Sequence, residues 1–278
     1  GDGNTDIAQT GDVTHTYTSA GTYTIKITGN FPEVGFGGYG GDQEKLLSVE
    51  QWGTQVWTYL AGAFALCSNM DMNATDAPDL SSVTSLAGTF RGIANINGDL
   101  SSWNTANVTI MQGMFEGLTS FNSDISNWNT SNVTDMGYMF RNNSLFNQPL
   151  NSWNVSSVTN MQGMFEGASS FNQPLNSWNV SSVTNMGVLF HGATSFNQDI
   201  GDWDVTSVAS MSSMFSVATS FNQPQINNWD MSNVTNIRNM FSNSNFNQPL
   251  NSWDVSNVTN MGFTFFYSNF NQDISSWD

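Results

Sequence analysis

From Phe90 onward, apolar side chains return on a beat of about 25 residues. Trp103, Trp128, Trp153, Trp178, Trp203, Trp229, Trp253 and Trp277 follow one another at steps of 25, 25, 25, 25, 26, 24 and 24. Two phenylalanine series keep the same time, one through Phe90, Phe115, Phe140 and Phe165, the other through Phe121, Phe146, Phe171 and Phe196. The clearest unit runs from Phe146 to Ser170 and reads FNQPLNSWNVSSVTNMQGMFEGASS. Trp153 and Val155 are spaced by two, which predicts a short strand, whereas Val158, Met161, Met164 and Phe165 recur as in a short helix or 3₁₀ turn. The expected coil is therefore one strand, a bend and a helical return.

Such a coil cannot enclose a core by itself, because its apolar side chains are covered only by the coils above and below. The Trp and Phe series are thus expected to be buried ladders, each ring removing about 150–250 Å² from water. An asparagine follows the second phenylalanine in every unit, at Asn122, Asn147, Asn172, Asn197, Asn222, Asn247 and Asn271. An amide that both donates and accepts suits a tight turn whose backbone groups need partners. Between the buried positions of the predicted strand, outward residues form a polar column: Asn104, Asn129, Ser152, Asn154, Ser177 and Asn179, turning acidic at Asp204, Asp230 and Asp254. This column is the candidate ligand face; the competing reading is that the same Asn and Asp residues cap the turn after each strand.

The pattern MFxGxxxFNQxLxxWxVSxVTxM resembles the BspA-type leucine-rich repeats of bacterial, mycoplasma and protist surface proteins. The resemblance implies a repeat solenoid of the α/β leucine-rich-repeat type over residues 64–278. It also implies a secreted or cell-surface adhesion or recognition role toward a protein or glycan, without catalysis. The less regular stretch with Trp52 and Trp57 five residues apart resembles the opening of such an array, so residues 31–63 are expected to be a linker and N-terminal cap. Upstream, VTHTYTSAGTYTIKITG (13–29) resembles the closing half of a PKD-type β-sandwich. Tyr23, Ile25 and Ile27 alternate as in a half-buried strand, and residues 1–30 are expected to dock as a β cap on the first coil. Because the chain opens within a motif and stops within a repeat, it reads as part of a longer exported protein.

Composition narrows the partners. The net charge is −17, with 22 acidic against five basic residues. Phosphate backbones and anionic membranes are bound through Lys and Arg clusters, so a nucleic-acid partner is not expected. Arg91, Arg141 and Arg238 read as isolated cations. No stretch approaches the 18 or so consecutive apolar residues of a membrane span, and direct membrane insertion is not expected. The single cysteine, Cys67, reads as a small buried apolar residue.

No metalloprotease, EF-hand, nucleophile-elbow or triad pattern appears, and no cofactor is implied. GDGNTD gathers oxygen donors at Asp2, Asn4 and Asp6 but lacks the distant bidentate glutamate of an EF-hand. A plain turn and a calcium site both remain open there. GFGGYGG (35–41) lacks the Lys-Ser/Thr of a phosphate loop and reads as a linker. The sequons at Asn107, Asn132, Asn233 and Asn257 follow from the repeat itself.

Overall fold

A computed structural model of the chain describes residues 15–37, 42–94, 96 and 98–277. Residues 1–31 form one unit and residues 32–278 another. In the first unit, Tyr17 and Tyr23 stack with ring centroids 4.0 Å apart and His15 meets Tyr17 edge-on at 4.5 Å. The strand expected at Tyr23, Ile25 and Ile27 is absent from the described residues, and Ile25 and Ile27 are exposed. A strand needs a hydrogen-bonded neighbour, and among the described residues these side chains have no paired strand beside them.

The second unit is a tandem stack of coils. Among the described residues, β1 (Ser48–Val49) pairs with β2 (Asp71–Met72) in a parallel two-stranded sheet. Beyond it, single parallel bridges run Ser85, Ile110, Asp135, Asn160, Asn185, Ser210, Asn236, Asn260, one residue per coil. The inter-coil pairing therefore lies at the VTN segment, not at the Trp153–Val155 segment where alternation predicts a strand. Alternation there is real, since Trp153 and Val155 are buried while Ser152 and Asn154 are exposed. It arises from consecutive turns instead: the Trp153 amide bonds the Leu150 carbonyl at 3.0 Å, and Ser156 N–H bonds Asn154 Oδ1 at 3.1 Å.

The return segment is not helical either. From Met161 to Gly167, alternate amides reach forward to the next coil: Met161 to Asn185 O, Gly163 to Gly187 O, Phe165 to Leu189 O and Gly167 to His191 O, at 2.7–3.1 Å. The intervening amides close four-residue turns, such as Met164 to Met161 O and Glu166 to Gly163 O. This alternation requires left-handed backbone at two places per coil, φ +59° at Gly163 and +69° at Gly167. The 3₁₀ helices among the described residues are Gln43–Lys45 and Pro224–Asn228. The second absorbs the extra residue of the 26-residue step, and a Cβ on Gly201 would lie 2.3 Å from that of Gln225.

The core is the expected set of ladders. Phe165 is fully buried, 5.7 Å from Phe140 and from Phe190 in the flanking coils and 4.0 Å from Phe171 in its own. Trp153 stacks parallel to Trp128 at 6.5 Å and donates its indole N–H to the Ile125 carbonyl at 3.1 Å. That carbonyl also accepts the Trp128 amide, so both lone pairs are used. Cys67 is buried, which pushes its thiol up to about 11. At the start of the stack, Phe36 and Gly37 both donate to the Ala63 carbonyl and Phe36 lies 6.3 Å from Phe64. The front of the expected linker thus packs on the first full turn, while residues 38–41 lie outside the described set.

Candidate functional site

The asparagine ladder forms the rail from which the polar column is hung. The Asn172 amide donates to Asn147 Oδ1 at 2.9 Å, Asn197 to Asn172 at 3.0 Å, and Gln173 Nε2 reaches the Asn147 carbonyl at 3.0 Å. Each coil's turn is thereby tied to the preceding one by side chains that are exposed, as at Asn172, or half-buried, as at Asn147 and Gln173. The sequon asparagines do similar work: Asn107, Asn132, Asn233 and Asn257 each donate Nδ2 to a carbonyl of the previous coil.

All nine residues of the candidate ligand face are exposed. Asn104, Asn129, Asn154, Asn179, Asp204, Asp230 and Asp254 each accept, at Oδ1, the amide of the residue two places on, at 2.9–3.2 Å. These are Asx turns, which fix the side-chain rotamer. Ser152 Oγ donates to the Ser126 carbonyl, and Ser177 pairs with Asn151 through both its amide and its hydroxyl. The Nδ2 groups of Asn129, Asn154 and Asn179 donate to no other described residue, so the turn holds three amide donors outward at one-coil intervals. At the acidic end, the hydroxyls and amides of Thr206, Ser232 and Ser256 hold the carboxyls of Asp204, Asp230 and Asp254 below their ordinary value. For Asp204 and Asp230, the next carboxylate in the column opposes that shift.

A second column, on the left-handed turns, is brought together only by the stack. Arg91, Glu116, Arg141, Glu166 and His191 are spaced by 25 residues each and occupy equivalent positions. Of the arginines that look isolated in sequence, Arg141 is paired with carboxylates one coil away on either side. Arg141 lies between Glu116 and Glu166, at 3.3 and 3.2 Å, and its guanidinium sits 5.3 Å from the Tyr138 ring centroid. Burial raises the Tyr138 hydroxyl above its usual value; Glu166 adds to that and Arg141 opposes it. The identical spacing was the signal in the sequence that could have revealed this column.

Among the described residues there is no group of three or more His, Cys, Asp or Glu side chains placed to hold a metal ion. Asp2, Asn4 and Asp6 lie outside the described residues. No helix among the described residues is long and apolar enough to cross a membrane.

The model of a family described as "Mycoplasma protein of unknown function, DUF285" matches residues 58–170, 149–242 and 224–278. The chain belongs to this family. The three overlapping DUF285 matches cover the coils that carry both columns, and they show a tandem-repeat protein. No curated protein and no solved structure matches the chain.

Proposed function

We propose that this DUF285 chain is a recognition module of an exported or cell-surface protein, built on a BspA-type leucine-rich-repeat plan, that binds a protein or glycan. The contact runs through the column from Asn104 to Asp254. One observation carries this reading: the Asx turns hold a row of outward amide donors at constant intervals, grading into carboxylates. Binding costs affinity whenever side chains must be ordered on contact, and here that ordering is already done by folding. A continuous column is suited to a long partner touching several coils at once.

The turn-capping role and the recognition role make different demands on the same side chain. Capping needs only Oδ1, while recognition by the asparagines needs the Nδ2 donors. Aspartate keeps the first and removes the second, as Asp204, Asp230 and Asp254 show. The test is an array of glycans and cell-surface or matrix proteins probed with the whole chain and with the triple variant Asn129→Asp, Asn154→Asp, Asn179→Asp. Binding lost by the variant at unchanged melting temperature supports the recognition role. A well-folded chain that binds nothing on the array would instead favour a spacer or assembly element, whose continuous inter-coil hydrogen bonding serves length and stiffness.

A further inference from the structure

Three successive coils present glycine at the first left-handed turn position, Gly62, Gly88 and Gly113, with φ of +66°, +59° and +58°. Nothing lies within 4 Å of where a Cβ on Gly62 would be, and only the Arg91 Cβ comes that close, at 4.0 Å, over Gly88. In the fourth coil the same position is Tyr138, also left-handed at φ +58°. The glycines thus leave an open floor at Gly62 and Gly88, bounded by the Glu116 carboxylate, whose Oε2 lies 3.3 Å from the Cβ position of Gly113, and beyond it by Tyr138, whose ring rests over Gly163. This is a half-open groove of about 390 Å³, in the lower part of the range of about 300–1,000 Å³ that small-ligand sites occupy.

The polar groups around it are few. Gln112 and Arg91 are exposed on its walls, and Glu116 stands beside them. Glu116 is paired with Arg141, while among the described residues Arg91 on the same groove has no carboxylate within ion-pair distance. On a chain of net charge −17 this is a local exception. A planar guanidinium recognises a carboxylate through two parallel N–H donors, and a tyrosine offers both a ring face and a hydroxyl to a ligand that is apolar on one side and polar at its rim.

The geometry points to a binding site for a carboxylate-bearing sugar residue of the uronic-acid type, with its carboxylate on Arg91, its ring over the glycine floor, and its hydroxyls within reach of Gln112 and Tyr138. The site lies on different columns from the Asn104–Asp254 face and does not depend on it. A sugar suits the groove better than an extended acidic peptide, because the floor's backbone amides at Gly62, Gly88 and Gly113 are already bonded to the next coil and cannot pair a peptide strand.

The test is calorimetric titration of the whole chain with trigalacturonate, with maltotriose as the neutral match, and with an acetylated, amidated triglutamate peptide. The expected result is binding of trigalacturonate alone, weakened by added salt and by about tenfold or more in Arg91→Gln, the scale of losing one charge-assisted pair. Gln112→Ala should weaken it less. The Arg91 and Gln112 side chains are exposed, so both variants should keep the parent's melting temperature; Gln112→Ala serves alone if Arg91→Gln does not fold. Binding equal to that of maltotriose, binding indifferent to both substitutions, preference for the peptide, or no binding to trigalacturonate would each overturn the assignment. The Asn129/Asn154/Asn179 aspartate variant should bind trigalacturonate like the parent, which separates failure at this site from failure of the other face.

Discussion

At the scale of single residues, Asn143 works against the stack. Asn143 is fully buried and neither its Oδ1 nor its Nδ2 has a hydrogen-bond partner. The equivalent residues in the neighbouring coils are Leu118 and Ala168. Burying an unpaired amide costs about 1–3 kcal/mol, so Asn143→Ala should raise stability by an amount of that order, read as a higher denaturation midpoint in urea. A glycine in the turn column gives the opposite case. At Gly167, with φ +69°, a Cβ would lie 2.6 Å from Asn142 Oδ1. Gly167→Ala should cost about 1–2 kcal/mol for the left-handed backbone alone. Adding Asn142→Ala should recover the clash and leave that backbone cost, a difference a double-mutant cycle measures.

The acidic turns make a prediction in pH. The carboxyls of Asp204, Asp230 and Asp254 are held below their ordinary value by hydroxyl and amide donors in the folded chain. A depressed folded-state value means that the contribution is complete above the unfolded value, about 3.9, and is lost as pH falls through the lower folded one. Asn154 makes the same turn without titrating. The variant Asp204→Asn, Asp230→Asn, Asp254→Asn should therefore match the parent closely at neutral pH and lose less stability on acidification. Thermal melts across the acid range check this.

At the scale of the element, the coil exchanges regular secondary structure for hydrogen bonds between copies. Its amides alternate between closing their own turns and reaching the next coil, so backbone satisfaction, not only the aromatic core, depends on neighbours. Phe165→Ala removes a ring in contact with rings of two flanking coils and its own. It should cost about 3–5 kcal/mol, measurable by chemical denaturation. Sequence period was a sound guide to which residues are buried, because burial follows from side-chain repetition alone. It was a poor guide to conformation. The 3–4 spacing of Val158, Met161, Met164 and Phe165 suits a helix, but left-handed residues at Gly163 and Gly167 turn the same apolar positions inward without one. Likewise, the two-residue alternation at Trp153 and Val155 comes from turns, and the parallel pairing falls at Asn160.

At the scale of the whole molecule, stability in a stack of near-identical units is approximately a sum of unit and nearest-neighbour contributions. Removing residues 171–195 in frame joins Ser170 to Phe196 and keeps the step of 25 residues, the glycines beneath Tyr138 and Asn142, and the Arg141 pairs. The shortened chain should fold, with a urea m-value reduced roughly in proportion to the surface no longer exposed on unfolding. Removing a stretch one residue shorter leaves a step of 26 residues, which the coil at Trp229 accommodates with a 3₁₀ insertion that the joined segment lacks, and should lower the melting temperature further.

The sequence by itself determined the repeat, its length, the buried Trp and Phe ladders and the asparagine rail, because each is a one-dimensional periodicity that any stacking of the units must respect. It also marked the column from Asn104 to Asp254 as exposed. Tertiary structure alone decided which backbone segment pairs between coils, since that depends on φ signs that non-glycine residues such as Tyr138 and Val188 do not announce. It alone placed Arg91, Gln112, Glu116 and Tyr138 around one groove, because distances between coils exist only once the chain is stacked.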